Sequence, residues 1–362
     1  MVELGQLAIQ YLELDEIWSR GASTLYDGIA NSRLGYPWLI GTLSRVGIEH
    51  ATMTRFARVR LRSPSGEIKP GARAAFVGSL GRSLARATMA DIDPDQGPCV
   101  ESELESFVLA GGEFGPDLFL GTAGVVAGLA QLVGRYPVAG PLLDQAIDEL
   151  YAQLEPGIGQ AERRVLGLAH GLAGQAVALE VGHRRRPCPF IEAFRAWTYE
   201  LVCASVVDDA DGRPLWPHAV GGIAAFQGWC NGTPGMVHGF ALAAALSGDR
   251  RYRALTERGL ELMGRFDFTR ESMNDTLCCG ALGVAEAYLN AFRLDRDPDH
   301  LERARAIVAS VDPLAMAADN HADEIASLHR GLLGWIYVGC ECEAVDELPP
   351  VGLDLWPVVA AQ

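Results

Sequence analysis

The sequence predicts an all-α protein, built as a double ring of inner and outer helices in seven repeats, and three observations carry that expectation. A Gly-x-x-Gly pattern recurs along the 362-residue chain. Each copy runs into a nearly continuous apolar, alanine-rich stretch, and the segments between copies are amphipathic with helical spacing.

Taken in chain order, the first copy is degenerate: LYDGIANSRLGYPWLIGTL, starting at Gly28. VGSLGRSLARA follows with Gly78 and Gly81, then LGTAGVVAGLAQLV with Gly121 and Gly124, and AHGLAGQAVALEV with Gly171 and Gly174. CNGTPGMVHGFALAAAL holds Gly232 and Gly235, CCGALGVAEAYLNAF holds Gly280 and Gly283, and HRGLLGWIYVGC holds Gly331 and Gly334. Spacings of roughly forty to sixty residues leave room for two helices per unit. The stretch after each glycine pair, such as MVHGFALAAAL, predicts a helix buried on all sides. By contrast, RRYRALTERGLELMGRF and HLERARAIVASV place apolar residues three or four apart between charges, as in an outer helix with one wet face. Such pairs can stack as a superhelical solenoid or close into a ring, and glycines at every inner-helix start favour crowding around a central axis. FARVRLRSPSGEI alone suggests strand, because Val59 and Leu61 alternate with arginines before a Pro-Ser-Gly turn, and predicts a surface hairpin.

Half the residues are hydrophobic (49%), enough for a large core, and residues 1–362 read as a single domain. No apolar run is long enough for a membrane span, and the N-terminus is acidic where an export signal is basic, so a cytoplasmic protein is expected. A net charge of −16 argues against a nucleic-acid partner. The one basic cluster, Arg184 to Arg186, lies beside Pro187 and Pro189 and reads as a solvated loop.

Eight cysteines without an export signal point to metal binding, catalysis or burial before disulfides. Aligning the repeats on the first glycine sorts them. Cys230 and Cys278 each lie two residues before it and Cys279 one before; His170 lies one before, His329 two before and Asp117 four before. In a ring of equivalent units, equal offsets converge on one end. Cys99 and Cys188 stand beside prolines in expected loops, Cys203 falls in an outer-helix pattern, and Cys340 with Cys342 has poor spacing for a metal pair.

Three thiolates can hold a tetrahedral zinc with its fourth position open, as catalytic sites require. His170 or His329 as a fourth ligand would close the site into a structural one, and a metal-free set of buried cysteines is the third reading. Adjacent cysteines share one metal only outside a helix, and Asn274-Asp275 with Gly280 supplies a turn. A thiolate-rich zinc is a weak Lewis acid that still deprotonates a thiol and leaves it nucleophilic, which points to activation of a substrate thiol. Addition of that thiol to an unsaturated amide needs an acid for the resulting enolate, and His170 is placed for it. Asp117 reads equally as its orienting partner or as a helix N-cap.

On AHGLAG around His170, the segment Trp229-Cys-Asn-Gly-Thr-Pro-Gly, Cys278-Cys279-Gly280, LYDGIA and the Gly-x-x-Gly series, the chain resembles the lanthionine synthetase C-like proteins over nearly its whole length. The resemblance implies an α/α toroid with one zinc at its open end, held by Cys230, Cys278 and Cys279. It also implies an active-site His170 with Asp117 as acidic partner, and closure of thioether rings by addition of peptide cysteines to dehydroalanine or dehydrobutyrine. The implied substrate is a dehydrated precursor peptide, leader plus core. The length resembles that of the separate cyclases, which need a separate dehydratase as partner, while LYDGIA is also similar to the cyclase halves of longer fusions; a transporter is a further expected partner. Three departures stand out: Cys-Cys-Gly where many members have Cys-His-Gly, Asn231 where tyrosine or histidine is frequent, and Phe226 where some carry arginine. Two other functions fit the same metal: addition of glutathione or another small thiol to an electrophile, and a non-catalytic scaffold stabilised by zinc.

Overall fold

Apolar stretches behind the glycine pairs fold as helices in the computed structural model, which describes residues 29–30, 34–48, 51–62, 73–109, 114–223, 227–265, 274–313, 315–316, 327–353 and 355. They form α1 (Gly35–Leu43), α3 (Leu80–Met89), α5 (Thr122–Leu132), α7 (Leu172–Arg185), α9 (Gly232–Ser247), α11 (Ala281–Asp295) and α13 (Leu332–Glu343). The amphipathic segments form α2 (Ala51–Arg62), α4 (Gln96–Glu105), α6 (Ala139–Leu154), α8 (Ile191–Cys203), α10 (Arg250–Met263) and α12 (Pro298–Ser310). Among the described residues the only strands are β1 (Val207–Asp208) and β2 (Pro214–Leu215), a short antiparallel ribbon.

Each odd-numbered helix packs against the next, and α13 returns to α1, so the inner layer closes into a ring. Each even-numbered helix packs outside the one before it, which completes the all-α toroid. Burial follows the two predicted patterns. In α9 every residue from Gly232 to Ala244 is buried, whereas α10 buries Tyr252, Leu255, Thr256, Gly259, Leu262 and Met263 along one stripe. The glycine pairs admit a close approach by their own entry loops. A Cβ on Gly124 would lie 2.0 Å from the Leu118 carbonyl oxygen, and one on Gly174 would lie 2.0 Å from that of Leu168.

Two expectations are corrected. Residues 56–62, read as part of a hairpin, belong to α2: Met53, Ala57 and Leu61 are buried four apart while Val59 is 57% exposed, so the helical period governs and the apparent alternation does not. Residues 63–68 lie outside the described residues. Arg184 and Arg185 close the last turn of α7, where cations suit the helix dipole, and are not in a loop. Arg185 pairs with Asp144 at 2.8 Å, Arg186 with Asp148 at 2.7 Å, and Arg184 donates to the Leu246 carbonyl, so the cluster is spent on helix packing. Cys99, expected in a loop, lies within α4. No helix among the described residues is long and apolar enough to cross a membrane.

At one end of the ring the seven entry loops join through backbone hydrogen bonds. Ala30 N–H donates to Phe76 O, Val77 to Phe119, Leu118 to Ala169, and Ala169 to Cys230. Cys230 N–H then donates to Cys278 O, Cys278 to His329, and His329 back to Ala30, all at 2.8–3.2 Å. This belt has no free end. Within it, the rings of Phe76, Phe119, Trp229 and His329 pack edge-on or stacked with centroids 4.6–6.2 Å apart and fill the axis.

Below that layer the chain's own C-terminal segment fills the ring. Buried Arg293 of α11 donates to Glu341 Oε1 at 2.6 Å and to the carbonyls of Val345 and Leu348. Buried Glu286 accepts from Val351 N–H at 2.7 Å, and Gln131 reaches the Gly352 carbonyl. Burial, with Glu286 alongside, pushes the Glu341 carboxyl well above the usual range.

Candidate metal centre and active site

Cys230 ends the loop before α9, and Cys278 with Cys279 occupies the turn before α11. Asn274 shapes that turn: its Oδ1 accepts from Thr276 N–H and Oγ1, and Cys279 N–H donates to Thr276 Oγ1. The non-helical setting required for adjacent ligands is therefore present. Gly232, at φ 78°, turns the chain from Cys230 and Asn231 into α9.

The belt brings the three sulfurs together. Cys230 Sγ and Cys279 Sγ are 3.4 Å apart, Cys279 and Cys278 also 3.4 Å, and all three lie within 4.8 Å of one another. None is in a disulfide. A zinc with bonds of about 2.3 Å in tetrahedral array separates its sulfurs by ~3.8 Å, so the donor set fits that ion after small rotations. Charge argues the same way. Contact with the Cys230 and Cys279 sulfurs, with burial, pushes the Cys278 thiol well up, while hydrogen bonds from Cys230 and Cys278 pull Cys279 down to about 3. Burial and mutual contact thus oppose ionising the three sulfurs together, and a cation among them would favour it.

Among the described residues no fourth histidine, cysteine or carboxylate joins this group. His329, read as a candidate fourth ligand, shares the offset of Cys230 but its ring turns into the aromatic layer. It is fully buried, edge-on to Trp229 at 4.6 Å, and burial lowers its pKa to about 3, so the imidazole is neutral. His170 also stands apart from the sulfur group.

His170 instead pairs with Asp117. Its Nδ1 is 2.7 Å from Asp117 Oδ2, and its ring lies edge-on to Phe119. Asp117 Oδ1 accepts from the N–H groups of Phe119 and Leu120 at 2.8 and 2.7 Å. It holds the turn before α5, whose N-cap is Gly121, so Asp117 is not the cap of that helix. With Nδ1 donating to the carboxylate, Nε2 is left for a substrate. Ala169, one residue earlier, donates to the Cys230 carbonyl at 2.9 Å, so the imidazole and sulfur loops are hydrogen-bonded neighbours.

Two supporting residues escaped the sequence reading, and a third was noted there only as a departure. A Cβ on Gly228 would meet Cys279 Cα at 2.6 Å and Cys278 O at 2.8 Å; one on Gly167 would meet Asn231 Oδ1 and Cys230 O at 2.7 Å. Both glycines stand four residues before the first glycine of their repeats, a second register within the same alignment. Asn231 is the third: its Nδ2 lies 3.5 Å from Cys230 Sγ. Phe226 lies outside the described residues.

Comparison with known proteins bears on the same region. The chain's architecture is similar to that of nisin cyclase, with a TM-score of 0.62 at 15% identity over 94% of this chain and 93% of that one. No curated protein sequence matches it. The family described as lanthionine synthetase C-like protein matches residues 85–353, which take in Asp117, His170 and all three site cysteines. The chain therefore belongs to the lanthionine synthetase C-like family.

Proposed function

We propose that this protein is a zinc-dependent lanthipeptide cyclase that adds cysteine thiols of a dehydrated precursor peptide to dehydroalanine or dehydrobutyrine in the same peptide. One observation carries the reading: three converging sulfurs with no fourth protein ligand among the described residues lie on loops hydrogen-bonded to the one that bears an imidazole paired with a carboxylate. Family membership and the nisin cyclase fold support it. The cyclase domain acts in this reading on a substrate supplied by a dehydratase.

Cys230, Cys278 and Cys279 would hold the zinc, which supplies a position where a thiol loses its proton near neutral pH. The buried aromatic layer closes the base of the site, and the belt fixes the loops that carry the ligands. In the addition, the substrate sulfur forms a bond to the β-carbon while the C=C electron pair moves onto the amide as an enolate. Asp117 holds His170 with Nδ1–H toward its carboxylate, so the protonated ring presents Nε2–H to the α-carbon and quenches the enolate. The proton released by the thiol returns to the imidazole, directly or through solvent. Thiol and alkene become thioether without any co-reactant.

The test incubates the zinc-loaded protein with dehydrated cysteine peptides and counts alkylatable thiols by mass spectrometry. Ring formation leaves the peptide mass unchanged and removes one thiol per ring. Zinc is measured alongside, with one ion per chain expected in wild type and none in Cys230→Ala, Cys278→Ala or Cys279→Ala. Unchanged thiols across a panel of peptides would overturn the cyclase reading.

A further inference from the structure

We propose that Asn231 is a positioning residue for the metal centre, its side-chain amide donating a hydrogen bond to Cys230 Sγ and making that sulfur a weaker donor. The inference rests on the zinc reading above and concerns a position where the sequence departs from its relatives.

Asn231 is the N-cap of α9, and asparagine is among the residues best suited to bond the first free N–H groups of a helix. Here the side chain makes no such bond. Its Nδ2 is directed at Cys230 Sγ instead, 3.5 Å away. The backbone is held for this: Gly228 N–H donates to the Asn231 carbonyl at 3.0 Å, and extended torsions (φ −146°, ψ 166°) throw the side chain away from the helix start. On the other side the amide is wedged against the preceding repeat, where Gly167 leaves room for Oδ1. Chemistry fixes which end faces the sulfur, since an amide oxygen against a thiolate would set two acceptors together.

A hydrogen bond to a metal-bound thiolate draws electron density from sulfur, weakens its donation and leaves the metal more electrophilic. The effect matters most where all three ligands are thiolates and a fourth arrives with substrate. Asn231 offsets part of that excess charge at Cys230. The metal can then hold an incoming thiol without becoming too electron-rich to acidify it.

Cobalt substitution reads this directly, because the sulfur-to-metal charge-transfer band moves to longer wavelength as the thiolate loses its donor. Asn231→Leu keeps the shape and deletes the hydrogen bond; Asn231→Asp keeps the shape and reverses its polarity. Both variants should bind one cobalt with a red-shifted band, Asp more than Leu. Asn231→Gln should recover part of the shift. Wild-type bands in both the Leu and Asp variants overturn the proposal while the metal reading survives. A wild-type protein that takes up neither ion overturns the metal reading, and this inference with it.

Discussion

Gly228→Ala probes how closely the ligand loops must approach. The new methyl would sit 2.6 Å from Cys279 Cα and 2.8 Å from the Cys278 carbonyl oxygen that Cys230 N–H bonds. Carbon atoms settle at about 3.5–4.0 Å, so the Cys278-Cys279 turn must retreat by ~1 Å. Backbone, not a flexible side-chain end, has to move. Metal–ligand distances tolerate about 0.2 Å, so the shift carries both sulfurs out of register with Cys230. Overpacking of this kind costs roughly 1–3 kcal/mol, which leaves a folded toroid with a broken site. The expected protein unfolds a few degrees below wild type, binds zinc at least tenfold more weakly, and loses cyclisation by on the order of a hundredfold. Circular dichroism, chelator competition and the thiol-alkylation assay measure the three effects. Wild-type zinc affinity in Gly228→Ala would refute the argument, because it would mean that the turn is not held by this contact.

Three further outcomes follow from the geometry. His170→Ala should keep its zinc and fold but lose cyclisation by about 10²–10⁴-fold, and Asp117→Asn should lose activity in the same range while also loosening the turn its Oδ1 holds; retention of activity in both would remove the imidazole from the reaction. Arg293→Met leaves Glu286 and Glu341 buried with no cation, and should cost about 3–5 kcal/mol in urea unfolding; a loss below 1 kcal/mol would show that the pair is neutral without it. Burial, with Arg293 and His329 nearby, lowers the His238 pKa to about 3, below the roughly 6.5 of an unfolded chain. The unfolded state therefore binds the proton first, so this contribution to stability is complete above pH 6.5 and declines by up to ~1.4 kcal/mol per unit below it. His238→Gln should show a shallower acid slope between pH 6.5 and 4, and an identical slope would assign the sensitivity elsewhere.

Glycine spacing made the fold legible. It marks where each entry loop folds back on its own helix, a constraint on the backbone that no other residue type satisfies, as the Leu118 carbonyl against Gly124 shows. Offsets from those glycines likewise grouped Cys230, Cys278, Cys279 and His170. What the offsets could not supply is side-chain direction. Cys230, Cys278, Phe76, Phe119 and His329 all stand two residues before a first glycine, yet the sulfurs cluster whereas the rings fill the axis. Ring volume decides that, since an aromatic side chain at this register reaches the centre and a cysteine does not. Residues 56–62 show the converse failure, where a short alternation mimicked a strand because α2 exposes Val59 between buried Ala57 and Leu61. Asn231 was recognised only as a departure; its hydrogen bond needed the loop's torsions.

The belt of loop-to-loop hydrogen bonds also constrains the order of assembly. Six of its seven links join consecutive repeats and can form as the chain lengthens, but His329 to Ala30 spans nearly the full sequence and closes only when the last repeat exists. That closure waits on the last repeat and is a late event. Cys230, Cys278 and Cys279 lie in the fifth and sixth repeats, ahead of that step, so a nascent chain can gather all three thiols on an open crescent. Metal capture at that stage would pin two neighbouring loops in their final register and shorten the search for the last one. An ion usually considered for its chemistry would then serve first as a clasp during synthesis.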